Sequence, residues 1–136
     1  VAVRIDNAKN VIERWDELLR ALAADPRRQI AISLLDAPPG ESVSLPEHAV
    51  NPNVPVDPEE TRRALRHKHL PLLADLGFVE WGTDPLVASR GPRFDEVAVL
   101  FESLYGSATN LPDSLVVGCQ RLEADGVKYD GWRVNV

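Results

Sequence analysis

Asp57-Pro58 at one end and Gly77 at the other bracket one long helix within residues 56–78, VDPEETRRALRHKHLPLLADLGF, and the remaining elements must be arranged around it. Asp57 can accept from the free N–H groups of the first turn, and Pro58 sits where a missing N–H costs nothing. Glu59 and Glu60 lie beside the positive end of the helix dipole. Gly77 is the residue type that best tolerates the left-handed backbone of a helix C-terminus. Between these signals Leu65, Leu72, Leu73 and Leu76 recur at helical spacing, so the apolar face is predicted to hold Leu65, His69, Leu72 and Leu76. That phase leaves Arg63 and His67 opposite, with Arg66 and Lys68 on the flanks. Pro71 is expected to remove one backbone hydrogen bond and bend the helix.

The same segment carries the chain's one compact block of positive charge. Arg62, Arg63, Arg66 and Lys68 stand with two histidines and no acid, in a chain of net charge −6. Undirected attraction to nucleic acid is excluded by that acidity, so any phosphate contact must come from a local patch. After Gly77, Phe78-Val79-Glu80-Trp81 reads as a strand, Gly82-Thr83-Asp84-Pro85 as a turn and Leu86-Val87-Ala88-Ser89-Arg90 as a returning strand. A basic helix followed by a two-stranded hairpin has the shape of a recognition helix with its wing. Candidate DNA contacts are Arg62, Arg63, Arg66, His67 and Lys68 on the helix, with Arg90 and Arg93 at the base of the wing. The alternative is a solvated face whose arginines pair with Glu59 and Glu60. His67 and His69 point in widely separated directions on a helix and cannot share a metal ion; His69 reads as a core histidine bonded to a backbone or carboxylate group.

Taken in order, residues 1–9 show no period and suggest a frayed lead-in or short strand. Asn10, with Glu13 three residues on, is predicted to cap a first helix to about Ala24, whose inner stripe is Val11, Trp15, Leu18, Leu19 and Leu22 with Trp15 as core anchor. Asp25-Pro26 opens a second helix with Ile30, Ala31, Leu34 and Leu35 facing inward, stopped by Ala37-Pro38-Pro39-Gly40. Residues 45–50, LPEHAV, suit a short support helix capped by Ser44. A last strong helix is predicted over Arg93 to Tyr105 with Gly106 as its cap. Phe94, Val97, Phe101 and Leu104 form one stripe there, and Val99 and Leu100 add apolar surface beside it. More apolar surface than one small domain covers points to a homodimer through Phe94, Val97, Leu100, Phe101 and Leu104. Beyond it, residues 115–122 lean towards helix, and Asp130-Gly131 is the turn of a hairpin over about 127–134.

Residues 65–79, LRHKHLPLLADLGFV, resemble a haloarchaeal winged-helix family whose "LxHxHLPxLAdxG" helix follows a helix pair with an Arg-Arg element, matched here by Arg27-Arg28. The resemblance covers about residues 18–88 and implies a winged-helix fold and transcriptional regulation. A shorter likeness joins residues 126–134 to the closing hairpin of small haloarchaeal sensor-output domains.

The chain is therefore expected to be α+β and mainly helical: a winged helix-turn-helix domain with a dimerisation helix over residues 10–106, and a C-terminal appendage over 107–136. A 44% apolar composition supplies a core for one domain. The excess of acids, with lysine only at positions 9, 68 and 128, suits a surface adapted to concentrated salt, and a GC-rich genome produces the same arginine bias. Neither a secretory leader nor a membrane span is apparent, which points to a cytoplasmic protein; Val1 and the lack of any methionine suggest that the natural start is missing. The lone cysteine, Cys119, reads as a buried inert thiol. Without a glycine-rich phosphate loop, a nucleophile triad or paired carboxylates, the expected function is a DNA-binding regulator with no enzymatic activity, no cofactor and no metal. A winged-helix module that binds protein and leaves DNA alone is the alternative.

Overall fold

Burial of the apolar face of Asp25–Asp36 against a small sheet and the bracketed helix organises the molecule. In the computed structural model, which describes residues 2–116, the chain is α+β and mainly helical. The helices are α1 (Ala2–Ala21), α2 (Asp25–Asp36), α3 (Pro58–Ala64), α4 (Leu70–Asp75), α5 (Phe94–Gly106) and α6 (Asp113–Val116). Strands β1 (Val43–Ser44), β2 (Val79–Gly82) and β3 (Val87–Arg90) form an antiparallel sheet in the order β1-β3-β2. The hairpin predicted over 127–134, most of the segment 115–122, and Cys119 lie outside the described residues.

The first helix differs from the expectation. It starts at Ala2, so Asn10 is an exposed mid-helix residue and the lead-in is helical. No glycine or proline interrupts residues 2–21, and nothing local stops the helix from running back through Asn10. Only one edge of α1 meets the body: Leu18 and Ala21 are buried, whereas Trp15 is 50% exposed and Val11 and Leu19 are similarly open. Trp15 is therefore not the core anchor that the helical stripe suggests.

Helix α2 buries Ile30, Ala31 and Leu34 as expected and ends before Pro38. Its N-cap is Ala24, with Asp25 already in the first turn and salt-bridged to Arg28 at 3.8 Å. Beyond it the sequence hid a strand. Val43↔Ala88 and Ser44↔Val87 pair β1 with β3, and Leu45 N–H donates to Leu86 O at 3.0 Å to extend the ladder. Two residues are too few to show an alternating pattern. The support helix shrinks to a single 3₁₀ turn, Glu47–Ala49, and Ser44 does not cap it. Instead Ser44 O accepts from His48 Nδ1 at 2.8 Å, and Ser33 Oγ of α2 donates to His48 O at 3.1 Å.

The hairpin register runs Val79↔Arg90, Glu80↔Ser89, Trp81↔Ala88 and Gly82↔Val87. At its base Gly91 lies against the chain that leaves α4: a Cβ there would sit 2.6 Å from Gly77 O and 2.8 Å from Val79 N. These neighbours are main-chain atoms and cannot swing aside, so Gly91→Ala is expected to cost roughly 2–3 kcal/mol through forced backbone displacement. Gly82→Ala, with nothing near its Cβ, should stay within about 0.5 kcal/mol. Urea unfolding of the two variants measures the difference, and equal midpoints would contradict the close approach at Gly91.

Helix α5 places Phe94, Val97 and Phe101 in the core at 2%, 1% and 6% exposure. The stripe predicted to dimerise thus faces its own chain, because α2 packs against it and its residues join the common core. Among the predicted dimer residues, Leu104 is exposed and Leu100 is partly buried.

Candidate nucleic-acid interface

Asp57 caps α3 as its sequence predicts: its carboxylate accepts from Glu59 N–H at 3.0 Å, and its carbonyl accepts from Thr61 Oγ at 3.0 Å. At the other end Gly77 adopts φ +85°. Between α3 and α4 the helix widens into a π turn, Leu65–His69, in which Leu70 N–H reaches back to Leu65 O. The cause lies one residue further on. Pro71 offers no N–H, and in a regular helix its ring would press on the carbonyl of His67; an inserted residue relieves both.

This insertion resets the helical phase. Leu65 and His69 are buried as expected, but Leu70 and Leu73 follow them inward at 0% and 3% exposure, while Leu72 and Leu76 are only partly buried. On the opposite side Arg63, Arg66, His67 and Lys68 are all exposed. The π turn presents Arg66, His67 and Lys68 consecutively to solvent between two buried anchors. Among the described residues, no carboxylate lies within ion-pairing distance of Arg63, Arg66 or Lys68. Arg62 behaves differently, because its Nη1 pairs with Glu59 Oε1 at 2.6 Å. The solvated-face alternative thus accounts for Arg62 and not for the other three.

Arg90 and Arg93 are directed elsewhere. Arg90 crosses to the C-terminal end of α2, where Nη2 donates to Leu34 O at 2.9 Å and Ala37 O at 3.0 Å, and Nε donates to Leu34 O at 3.2 Å. Its guanidinium also stacks 4.9 Å from the Phe94 ring centroid. It satisfies carbonyls that the end of α2 leaves free. Arg93 grips Glu96 with two bonds of 3.1 and 3.0 Å, reaches Glu17 Oε1 of α1 at 2.9 Å and Leu76 O at 3.0 Å, and lies 4.7 Å from the Phe78 centroid. The bond to Glu96 raises the Arg93 pKa further, and the same bond holds the Glu96 carboxyl below its usual range. These bonds hold both guanidiniums within the fold and turn them away from the exposed face of the π turn. Arg93→Ala is expected to destabilise the chain by roughly 1–3 kcal/mol, since it strands a carboxylate pair and a carbonyl. Thermal melts check this, and a variant with unchanged melting temperature would show the clamp to be inert.

The buried partner of His69 is one the sequence reading missed. Arg27, 6% exposed, donates Nη1–H to His69 Nδ1 at 2.9 Å, Nε–H to Ala21 O at 2.8 Å and Nη2–H to Arg20 O at 3.1 Å. A guanidinium can only donate, so Nδ1 must be the acceptor nitrogen and the imidazole is neutral. Burial chiefly, then the charges of Arg27 and Lys68, push the His69 pKa down to about 4. Burial also lowers the Arg27 pKa, with Arg20 and Arg28 adding to it. Arg28 Nη1 meanwhile donates to Leu22 O at 2.8 Å. The Arg-Arg pair thus closes the C-terminal end of α1 and, through Arg27, joins it to the π turn behind the exposed cations.

His67 and His69 face opposite ways, one exposed and one buried, and no group of three metal-binding side chains occurs among the described residues. No helix among them is long and apolar enough to cross a membrane. At the tip of the hairpin, Thr83, Asp84 and Pro85 are exposed, and Asp84 takes φ 57°, a left-handed conformation that aspartate tolerates better than most residues. Comparison of the chain with protein-family models, with curated proteins and with solved structures gave no match.

Proposed function

We propose that residues 25–90 form a winged helix and that the chain is a DNA-binding transcriptional regulator whose contact surface is the exposed face of the α3–π turn. The observation that carries it is the cluster Arg63, Arg66, His67 and Lys68, exposed on one helix, with no ion-pair partner for its three cations among the described residues, in a chain of net charge −6. Solvating unpaired like charges side by side gains nothing for folding; such a strip is useful where a polyanion neutralises it. The order helix, short strand, helical turn, long helix, hairpin, with the strands arranged β1-β3-β2, supports the winged-helix assignment. So does the resemblance of residues 65–79 to the haloarchaeal winged-helix family.

A protein-binding winged helix is the second reading, and one observation favours it. The positive strip stops at Lys68, because Arg90 and Arg93 are bound within the fold and the hairpin tip carries Asp84. DNA contact, on the first reading, is confined to the helix and neutralises few phosphates. Fluorescence anisotropy with genomic fragments across a salt series distinguishes the two. The expected log–log slope is roughly −2 to −3 per bound chain, given about 0.9 per phosphate contact. Saturation with no salt dependence, or no binding at low salt, would discard the DNA reading.

A further inference from the structure

Helix α1 has two apolar faces, and the body uses one of them. Leu18 and Ala21 enter the core, and Arg14 and Glu17 on the same side reach α5 through Glu96 at 3.0 Å and Arg93 at 2.9 Å. Rotated away from these lie Ile5, Ala8, Ile12, Trp15 and Leu19, a strict three-four alternation over two heptads. The four large side chains are 52%, 59%, 50% and 56% exposed, and Ala8 is exposed as well. Such a three-four alternation is the pattern by which one helix seats another, and Val11, 53% exposed, adds apolar surface at its flank.

We propose that this face is the docking surface for α1 of a second copy of the chain, packed antiparallel about a two-fold axis near residues 13–14. The size of the seam is consistent with such a pair. Each large side chain leaves on the order of 100 Å² open, so pairing hides about 800 Å² between the two copies before flanking residues are counted, approaching the lower end of stable interfaces near 1,200 Å². Charge selects the orientation. In heptad terms Ile5, Ile12 and Leu19 take one core position and Ala8 and Trp15 the other, which places Lys9 and Asp16 on the same flank of the seam. In an antiparallel pair, Ile12 meets the partner's Trp15, Leu19 meets the partner's Ala8, and Lys9 comes alongside the partner's Asp16, twice by symmetry. A parallel pair separates Lys9 from Asp16 by two turns and forms neither bridge. Neither Lys9 nor Asp16 has an ion-pair partner among the described residues. The contact sits on α1 and does not depend on nucleic-acid binding by α3 and the π turn.

Sedimentation equilibrium of the 136-residue chain tests the surface directly. The wild type is expected to be a dimer at micromolar concentration, and Ile12→Glu, which alters an exposed residue, is expected to be a monomer with unchanged helical circular dichroism. Lys9→Asp and Asp16→Lys should each weaken the dimer about fivefold or more at low ionic strength, and the combined swap should restore it to within about threefold. A monomeric wild type overturns the proposal, as does a dimer that survives Ile12→Glu but is lost in Val99→Glu/Leu104→Glu, which would move the contact to α5. If the combined swap is no better than the single changes, the antiparallel arrangement is wrong. Anisotropy with DNA on the monomeric variant separates the two questions, because salt-dependent binding by a monomer leaves the nucleic-acid reading standing.

Discussion

Replacing Arg63, Arg66 and Lys68 together by alanine is expected to lower DNA affinity about a hundredfold near 0.1 M salt and to flatten the log–log salt slope by about two to three units. The effect is large because these cations are exposed and have no ion-pair partner among the described residues, so their charge is available to a phosphate backbone. Stability should change little, since no described hydrogen bond or ion pair is lost with them. His67→Ala should likewise leave the fold unaffected. The comparison that matters is with Arg93→Ala, which lowers stability yet should leave the salt slope in place. An unaltered slope in the folded triple variant would remove α3 and the π turn as the contact surface.

The second large effect belongs to the buried pair Arg27–His69. In the folded chain His69 stays neutral down to about pH 4, whereas in the unfolded chain it takes up its proton near 6.5. Between those values the unfolded state binds the additional proton, so stability falls as pH is lowered from 6.5 towards 4. The full contribution, about 3 kcal/mol from the size of the shift, is present above pH 6.5. Glu96 adds a further loss that sets in as pH falls through its ordinary value of 4.5, because its folded pKa lies below that value. Urea titrations at pH 7, 5.5 and 4.5 are expected to show this decline in the wild type and a much flatter profile in His69→Gln, where the amide oxygen still accepts from Arg27. A wild type equally stable at all three pH values would mean that the imidazole is not held neutral. Arg27→Met should cost more, roughly 3–5 kcal/mol, because it leaves Arg20 O, Ala21 O and His69 Nδ1 without their donor in a buried site.

The pair also explains how the exposed cations are presented. Leu65 and His69 anchor the π turn from behind, and Arg27 ties His69 to the end of α1. Loosening that tie allows the turn to rotate, so Arg27→Met is expected to weaken DNA binding as well, without changing the salt slope per contact.

Much of the helix bearing the candidate interface was legible in the sequence because its signals are local. An aspartate before a proline can cap only the turn that follows it, and Gly77 tolerates a positive φ by its own covalent structure. The basic block and the β2–β3 hairpin were readable for the same reason, each being set by residues within a few positions of one another. Pro71 announced a disturbance in the helix but not its form. A bend and a π insertion both accommodate a missing N–H, and the choice sets which leucines face inward.

What only the tertiary structure decided depends on partners far along the chain. Arg90 bonds to carbonyls of α2 as many as 56 residues earlier, and Arg27 meets an imidazole 42 residues later. A main-chain carbonyl has no sequence signature, so nothing in the residues distinguishes an arginine that closes a helix from one that faces solvent. Strand β1 exists because the free edge of β3 pairs with it, and Trp15 is open because α1 meets the body along one edge only. The sequence by itself settled where the chain turns, where its central helix begins and ends, and which residues carry charge. Long-range packing settled which of those charges remain free, because burial and hydrogen-bond supply are properties of the assembled surface.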